Sequence, residues 1–245
     1  MKITDEFLSW VGYLEKRSDK DLLSFTANAG DKNYTIFAKW YKEDYGINFQ
    51  GQPWCAMFVT ECVKRAVGRE IQEKIMPHFA YCPDGVTYFK KAGKWITQNP
   101  KEGDIIFFKD ASGIACHVGY VYGVSGEHVY TVEGNTSSTA GVIPNGGAVA
   151  KKSYSKNYSR ILGYGRLDLK EIEEMETVKE LDERLKALEK ENKKYNYVPE
   201  MPAWAREDIL KLYNMGALRG DGEKLNLTES AVRILCVLAR ALEKK

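Results

Sequence analysis

Cys55 is the residue best placed for nucleophilic chemistry in this chain of 245 residues. It lies in the run QPWCAMFV at residues 52–59, where Pro53 predicts a helix start, because proline needs no amide hydrogen in the first helical turn. A thiol attacks a carbonyl only as the thiolate, and the dipole and free amide hydrogens of a helix N-terminus lower its pKa. The spacing therefore predicts that Cys55 is a nucleophile.

His117 is the predicted general base among three histidines, the others being His78 and His128. A cysteine nucleophile needs an imidazole within hydrogen-bond reach and a third group that orients the ring. His78 follows a Met-Pro pair in a loop, and His128 begins a strand with no acidic residue at a useful spacing. His117 also begins a strand, and Glu133 and Asn135 lie just past the end of the next one.

The hairpin between these two strands decides whether Glu133 can reach His117. Opposed residues on antiparallel strands share a face of the sheet. A loop of three residues, 124–126, with Gly126 in the left-handed position of a G1 bulge, pairs His117 with Glu133 and puts Asn135 on the same face. A two-residue loop would turn Glu133 away. We therefore predict an odd-length loop; the alternative is that Glu133 is an exposed carboxylate at a strand end.

The elements that must position these residues are helices followed by strands. Apolar residues at helical spacing predict helices over residues 4–16, 33–45, 53–67 and 83–92. Strands are predicted over residues 105–108, 117–122, 128–133, 142–149 and 161–167. Helices followed by an antiparallel sheet predict the α+β class.

The other four cysteines carry no signature of a metal site or a disulfide framework. The five cysteines are scattered without a CxxC pair, so we predict neither a metal nor a cofactor. Cys62, Cys82 and Cys236 are predicted to be small buried hydrophobes. Cys116 precedes His117 in the same strand, so its side chain is expected on the opposite face, in a structural role.

Composition and charge argue against several classes of function. A formal net charge of +2 is too small to indicate nucleic-acid binding by bulk electrostatics. No run approaches the roughly eighteen apolar residues that a membrane span needs. The first residues lack a basic region followed by a long apolar stretch, so we expect synthesis in the cytoplasm without a signal peptide.

Five sequence blocks, in order, resemble those of the CHAP domain. They are WCAMFV at 54–59, GDIIFF at 103–108, HVGYV at 117–121, EGNT at 133–136 and GYGR at 163–166. The resemblance extends over roughly residues 20–168. It implies a papain-like fold of the NlpC-type superfamily, with N-terminal helices packed on the antiparallel sheet. It also implies a cysteine-dependent amidase or peptidase that cuts peptidoglycan.

The resemblance implies a role for each site residue. Cys55 resembles the nucleophile, and His117 resembles the general base that later acts as acid to the leaving amine. Glu133 resembles the residue that orients the imidazole, with Asn135 as a further polar contributor. The backbone amide of Cys55 is a natural oxyanion donor at a helix start, and the Gln52 side chain is a candidate second donor. Some family members hold calcium in an acidic loop before the cysteine, but the paired aspartates are missing here, so no calcium site is expected.

Beyond residue 168 the sequence predicts a helical spacer and a small all-α module. A 3-4-3-4-3 spacing marks a short heptad seam at Val178, Leu181, Leu185, Leu188, Asn192 and Tyr195. Asn192 occupies an a-type position that can fix two-stranded register; the alternative is a solvated spacer helix. Residues 204–222 are similar to S-layer-homology-like wall-binding repeats, and the alternative is a helical packing or oligomerisation module.

Three domains are therefore predicted: a catalytic domain at 1–168, a helical or coiled-coil linker at 169–197 and a wall-binding module at 198–245. The predicted function is an endolysin-like peptidoglycan hydrolase of phage origin, acting as an N-acetylmuramoyl-L-alanine amidase or a peptidoglycan endopeptidase. Predicted partners are the peptidoglycan of a Gram-positive host and a second copy bound through residues 178–195, with no nucleic acid and no membrane span. Such a protein acts at the cell wall after release from the host cytoplasm. The alternatives are an inactive wall-binding or structural protein and a cytoplasmic cysteine amidohydrolase.

Overall fold

The computed structural model describes residues 2–139, 141–143, 145–167, 169–220 and 224–242. The chain forms two compact units, Met1–Glu176 and Thr177–Lys245, which divide within a long helix. The predicted domain boundaries at 168 and 197 stay a prediction. Among the described residues, no helix combines the length and the apolar character needed to cross a membrane.

Helices make up the first part of the first unit. They are α1 (Lys2–Ser9), α2 (Ile36–Tyr45), α3 (Cys55–Val67), α4 (Arg69–Ile75) and α5 (Cys82–Lys91). Helix α1 ends earlier than the predicted 4–16, and the chain then turns through Gly12, whose φ of 94° no helix can accommodate. Helix α3 begins at Cys55 rather than at Pro53, because Trp54 has a non-helical backbone (φ −117°, ψ 9°).

A six-stranded antiparallel sheet follows these helices. Its strands are β1 (Trp95–Ile96), β2 (Ile105–Lys109), β3 (Ala115–Ser125), β4 (His128–Thr136), β5 (Ala148–Ser155) and β6 (Ile161–Gly165), in the order β1-β6-β2-β3-β4-β5. The strand predicted over 142–149 begins only at Ala148 and continues to Ser155, because β5 alternates exposed Lys151, Ser153 and Ser155 with buried residues and so lacks an apolar run. The α+β class with an antiparallel sheet is confirmed and is consistent with a papain-like domain.

Helix α3 lies directly on strands β3 and β4. Gly134 in β4 makes this close approach possible, since a Cβ there would lie 2.7 Å from Cβ of Phe58 and from the Trp54 ring. The Trp54 indole also donates a hydrogen bond of 3.1 Å to the buried carboxylate of Glu15. These contacts fix the chain on either side of Cys55 against the sheet.

A buried ion pair ties the end of β6 to the turn before β2. The Asp104 carboxylate accepts hydrogen bonds from Nε and Nη2 of Arg166, at 3.0 and 2.9 Å, and from the Lys101 amide at 2.8 Å. Asp104 is only 1% exposed, so loss of the half-buried Arg166 would leave a buried carboxylate without its cation. This pair gives two of the sequence blocks, 103–108 and 163–166, a structural role.

The second unit combines helices with a small sheet. Helix α6 (Leu169–Asn192) runs into it, and β7 (Lys194–Tyr195), a 3₁₀ helix (Val198–Glu200), α7 (Ala203–Asn214), β8 (Leu227–Thr228) and α8 (Glu229–Leu242) follow. Because β7 pairs with β8, the prediction of an all-α module is wrong; strands of two residues are too short to produce a readable period.

Tyr195 does not lie on the predicted heptad seam. It belongs to β7 and is buried in the core of the second unit with Met201, Ile209 and Val232. The seam of exposed apolar residues is therefore limited to Val178, Leu181, Leu185 and Leu188 on α6. The side chain of Asn192 lies outside the described residues.

Candidate active site

Cys55 is the first residue of α3, and its side chain is almost fully buried, with 4% exposure. The first backbone hydrogen bond at this helix start runs from the Phe58 amide to the Trp54 carbonyl. The amides of Cys55, Ala56 and Met57 therefore have no partner within the helix. The thiol lies among partial positive charges, as a reactive cysteine requires.

His117 and Glu133 form a buried hydrogen-bonded pair. Nε2 of His117 donates to Oε2 of Glu133 at 2.9 Å, and both side chains are fully buried. The same carboxylate accepts hydrogen bonds from the hydroxyls of Thr131 (2.5 Å) and Tyr154 (3.2 Å). The carboxylate is thus held by three donors and fixes the plane and tautomer of the imidazole.

Thr131 and Tyr154 were not predicted as site residues. Thr131 precedes Glu133 by two positions in β4, so strand alternation alone puts both side chains on one face. That signal is readable in the sequence. Tyr154 comes from β5, and only the pairing of β5 with β4 brings it to the carboxylate.

The predicted odd-length hairpin loop is wrong. Ser125 pairs with His128, so the loop is the two-residue Gly126-Glu127. Gly126 is left-handed as predicted, with φ 53°, but at the first position of a two-residue turn rather than in a G1 bulge. With an even loop alone, Glu133 would face away from His117.

A β-bulge at Tyr122 restores the face that the prediction requires. Strand β3 has one extra residue, Tyr122, between Val121 and Gly123, and this shifts the register. Tyr120 consequently pairs with Val132, and continuing this register by one residue places Gly119 opposite Glu133. Glu133 is therefore diagonal to His117 and on its face, instead of directly opposite to it. The expected contact forms through a different register.

Gly119 leaves the space that this diagonal contact occupies. A Cβ at Gly119 would lie 2.5 Å from Cγ of Glu133 and 3.1 Å from the Val132 carbonyl oxygen. Any side chain at this position would push the carboxylate away from the imidazole. The glycine in the HVGYV block is thus part of the site geometry.

The electrostatics of the site favour an imidazolium at His117. Burial disfavours its charge, but interactions with Cys55 and Glu133 outweigh burial and raise the pKa of His117 to about 9. With Nε2 bound to Glu133, Nδ1 is the nitrogen left to face the thiol. Nδ1 has no partner at full hydrogen-bond geometry among the described residues. Its contact with the Cys55 thiol nevertheless raises the pKa of His117, first as a hydrogen-bonding interaction and then through charge.

Cys55 correspondingly favours the thiolate. Contact with the Cys82 thiol lowers the pKa of Cys55 most, burial opposes this, and His117 and the backbone of Val118 lower the pKa further. The net result is a pKa well below the usual value of a cysteine. The two shifts together favour a thiolate at Cys55 and an imidazolium at His117, the charge state in which a cysteine acts as a nucleophile.

The other cysteines separate into two groups. Cys62 and Cys236 are buried in apolar surroundings, as predicted. Cys82 is also buried, but its sulfur lies 3.8 Å from that of Cys55, so it is more than a small hydrophobe. Cys116 forms part of the wall of the cleft at the nucleophile, and its sulfur accepts a hydrogen bond of 3.6 Å from Arg160.

Asn135 is close to Glu133 in sequence but does not bond His117. Its backbone is left-handed (φ 54°), at a register irregularity between Glu133 and Thr136. Its amide is buried, and neither polar atom has a hydrogen-bond partner among the described residues. The predicted contact of Asn135 with the His117 face does not form, because the irregularity interrupts the alternation of side chains along β4.

A cleft of about 940 Å³ gives access to Cys55. Gln52 lies in its wall with an exposed side chain, next to the nucleophile. Its lining is largely apolar and aromatic with a few polar groups, and includes Tyr41, Phe49, Cys55, His78, Phe79, Tyr81, Cys82 and Asp84. His78 stacks on Tyr45, with ring centroids 3.9 Å apart, so it belongs to the wall and not to the nucleophile–base pair. The arrangement suits acyl transfer on a substrate bound in the cleft.

Of the comparisons with known proteins, only the match to a family model bears on the function. No curated protein matches the chain. A solved structure titled "The crystal structure of Ly7917" aligns at 12% sequence identity with a TM-score of 0.38, over 68% of this chain and 61% of that one. The family model of the CHAP domain matches residues 47–135, a range that contains Cys55, His117 and Glu133, and this match supports a peptidoglycan hydrolase of the CHAP type.

Proposed function

We propose that this protein is an endolysin-like peptidoglycan hydrolase that cleaves an amide bond of the cell wall with Cys55 as nucleophile. The observation that carries the proposal is the buried chain from Cys55 through His117 to Glu133, at the base of an open cleft. The bond is either the one between muramic acid and L-alanine or one within the peptide stem or cross-bridge. Both are amides and need the same chemistry.

In the first half-reaction the Cys55 thiolate attacks the carbonyl carbon of the amide. The carbonyl electron pair moves to oxygen, and the Cys55 backbone amide at the helix start stabilises the oxyanion. The exposed Gln52 side chain in the cleft wall is the second donor in this proposal. The His117 imidazolium then gives its proton to the nitrogen as the C–N bond breaks, which leaves a thioester and a free amine.

In the second half-reaction water resolves the thioester. The now neutral His117 removes a proton from water, the resulting hydroxide adds to the thioester carbonyl, and the Cys55 thiolate leaves. The Glu133 carboxylate accepts the hydrogen bond from Nε2 and stabilises the imidazolium whenever it forms. Because Thr131 and Tyr154 hold the carboxylate, the ring keeps its orientation through both halves.

The intact chain of residues favours an active enzyme over an inactive wall-binding protein. An inactive protein has no need of a carboxylate held by three donors next to a buried imidazole. Digestion of purified cell wall tests the proposal, with mass spectrometry of the fragments. New muramic acid ends indicate an amidase, and new peptide amines indicate an endopeptidase.

Cys55→Ala and Cys62→Ala form a matched pair for this test. Both are free cysteines on α3 and both are buried, but only Cys55 is near His117. Cys55→Ala should release no fragments, and Cys62→Ala should digest the wall as the wild type does. Equal digestion by Cys55→Ala would refute the proposed nucleophile, and an inactive wild type would favour the inactive or cytoplasmic alternatives.

We propose that the second unit binds the wall. A cavity of about 220 Å³ lies between residues 196–199 and α7 of this unit, lined by Tyr197, Pro199, Tyr213 and Arg219 among others. Half-exposed tyrosines next to a cation suit a polar wall saccharide. In the Cys55→Ala background, Tyr213→Ala should weaken co-sedimentation with purified walls, and Ile234→Ala, an exposed apolar residue outside this cavity, should not.

We also propose that α6 associates with a second copy of the chain. Val178, Leu181, Leu185 and Leu188 are all more than half exposed and follow heptad spacing. Pairing of two such stripes would bury them and link two wall-binding units. Linked units gain avidity even when each binds weakly.

A further inference from the structure

The Cys82 thiol is in polar contact with the Cys55 thiol. The two sulfur atoms are 3.8 Å apart, and both side chains are buried, at 5% and 4% exposure. Both cysteines are free. Each is the first residue of a helix, Cys82 of α5 and Cys55 of α3, and both contribute to the wall of the same cleft.

The position of Cys82 is fixed from α3 itself. The Thr60 hydroxyl, on α3, donates to the Phe79 carbonyl at 2.9 Å and accepts from the Phe79 amide at 3.2 Å. Gly85, in the first turn of α5, has no room for a side chain. A Cβ there would lie 2.9 Å from the Phe79 ring and 3.0 Å from the Phe107 ring. The segment that carries Cys82 is therefore held at a set distance from the helix that carries Cys55.

The charges around the pair decide which sulfur donates the hydrogen. His117 and the backbone of Val118 both act on Cys55 and stabilise its negative charge. Within the described part of the chain no cation acts on Cys82, and its contact with Cys55, followed by burial, raises its pKa well above the usual value. Two thiolates at 3.8 Å in a buried site would repel strongly. Cys55 is therefore the anionic acceptor and Cys82 the S–H donor.

We propose that Cys82 is a positioning residue for the hydrolysis: its thiol donates a hydrogen bond to the Cys55 thiolate and holds that sulfur at the base of the cleft. Only the role of Cys82 in turnover rests on the proposed function; the hydrogen bond between the two sulfur atoms does not. During attack the donor restrains the sulfur beside His117. During resolution of the thioester it again receives the thiolate as leaving group, which lowers the energy of the departing anion.

The pH dependence of Cys55 alkylation tests the proposal without any substrate. Iodoacetamide is reacted over a range of pH, and the Cys55 peptide is quantified by mass spectrometry, so that Cys116 does not contribute. Cys82→Ala should move the midpoint for Cys55 upward by about one to two pH units, the usual value of a hydrogen bond to a charged group. Cys82→Ser, which keeps a donor, should stay near the wild type, and Cys62→Ala should not move the midpoint.

An unchanged midpoint in Cys82→Ala, or equal shifts in Cys82→Ala and Cys82→Ser, would overturn the proposal. Thermal unfolding checks that the variants are folded. If Cys82→Ala does not fold, Cys82→Val, which fills the space of the thiol without a donor, replaces it in the same alkylation assay. Cys82→Val should move the midpoint upward while Cys82→Ser stays near the wild type, and an unchanged midpoint in Cys82→Val would overturn the proposal. If the wild type does not digest cell wall but Cys82→Ala still raises the alkylation midpoint of Cys55, the proposed function is refuted and the role of Cys82 stands.

Discussion

Glu133→Gln removes the negative charge beside His117 and keeps the shape of the side chain. The glutamine oxygen can still accept from Nε2 of His117, and the Thr131 hydroxyl can accept from the new amide because a hydroxyl serves as donor or acceptor. The substitution therefore isolates the charge of the carboxylate from its role in orienting the ring.

The size of the effect follows from the pKa of His117. An opposite charge at hydrogen-bond distance shifts a pKa by about 1–3 units, or about 1.4–4 kcal/mol. Without it, the pKa of His117 should fall from about 9 to about 6–8. The imidazolium is lost as pH rises through this pKa, so a lower pKa moves the alkaline limb of the activity profile to lower pH.

At pH 8 an imidazole with a pKa of about 9 is about 90% protonated, whereas one with a pKa of about 7 is about 10% protonated. We therefore expect kcat/KM of Glu133→Gln to fall about tenfold at pH 8 from the loss of charge, and to fall much less at pH 6. The assay is kcat/KM on a soluble muropeptide across this range. The control is Glu127→Gln, an exposed glutamate in the turn of the same hairpin.

An alkaline limb that stays at the position of the wild type would refute this reasoning. It would mean that Glu133 acts on the ring only by orientation, or that the thiolate–imidazolium pair is not the active form. Because the pair titrates together, the limbs are assigned to the pair as a whole.

Three further predictions use matched changes elsewhere in the chain. Gly119→Ala should abolish most activity with little loss of folding, because the new Cβ would displace the Glu133 carboxylate that orients the base. Gly123→Ala on the same strand should be active, because no atom lies within 4 Å of the position of its Cβ. Measurements of kcat/KM and of thermal unfolding check both variants. Hydrogen peroxide should oxidise the Cys55 thiolate to a sulfenic acid, which the Cys82 thiol then attacks with loss of water to form a disulfide; mass spectrometry should find this bond, and dithiothreitol should restore activity. Leu185→Glu should convert a dimer to a monomer in analytical ultracentrifugation, and a wild type that is already monomeric would contradict the α6 interface.

The residues that the structure brings together were easier to predict from the sequence than the geometry of their contacts. A cysteine at a helix start, a histidine in a strand and a carboxylate in the next strand follow from local patterns, and the structure brings Cys55, His117 and Glu133 together. The hairpin loop was predicted with the wrong length, because a bulge leaves no mark on hydrophobic alternation. Glu133 still faces His117 because two departures from the predicted hairpin cancel. The two-residue loop turns Glu133 to the other face of the sheet, and the extra residue Tyr122 in β3 turns it back.

Contacts between distant segments could not be predicted from local periodicity. Cys82 and Cys55 meet because the Phe79 segment is bonded to α3, and no repeat or spacing in the sequence encodes that distance. A sign of it was nevertheless present: Cys82 immediately precedes Pro83 at a predicted helix start, the same kind of position as that of Cys55.

The central claim is that Cys55 carries a thioester during hydrolysis of a wall amide. The most direct measurement is digestion of purified peptidoglycan by the wild type and by Cys55→Ala in the presence of hydroxylamine, which competes with water for a thioester. The wild type should release fragments with new amine ends, and part of the new carboxyl ends should appear as hydroxamates. Cys55→Ala should release neither. New reducing sugar ends in place of amines, or the same fragments from Cys55→Ala, would contradict the claim.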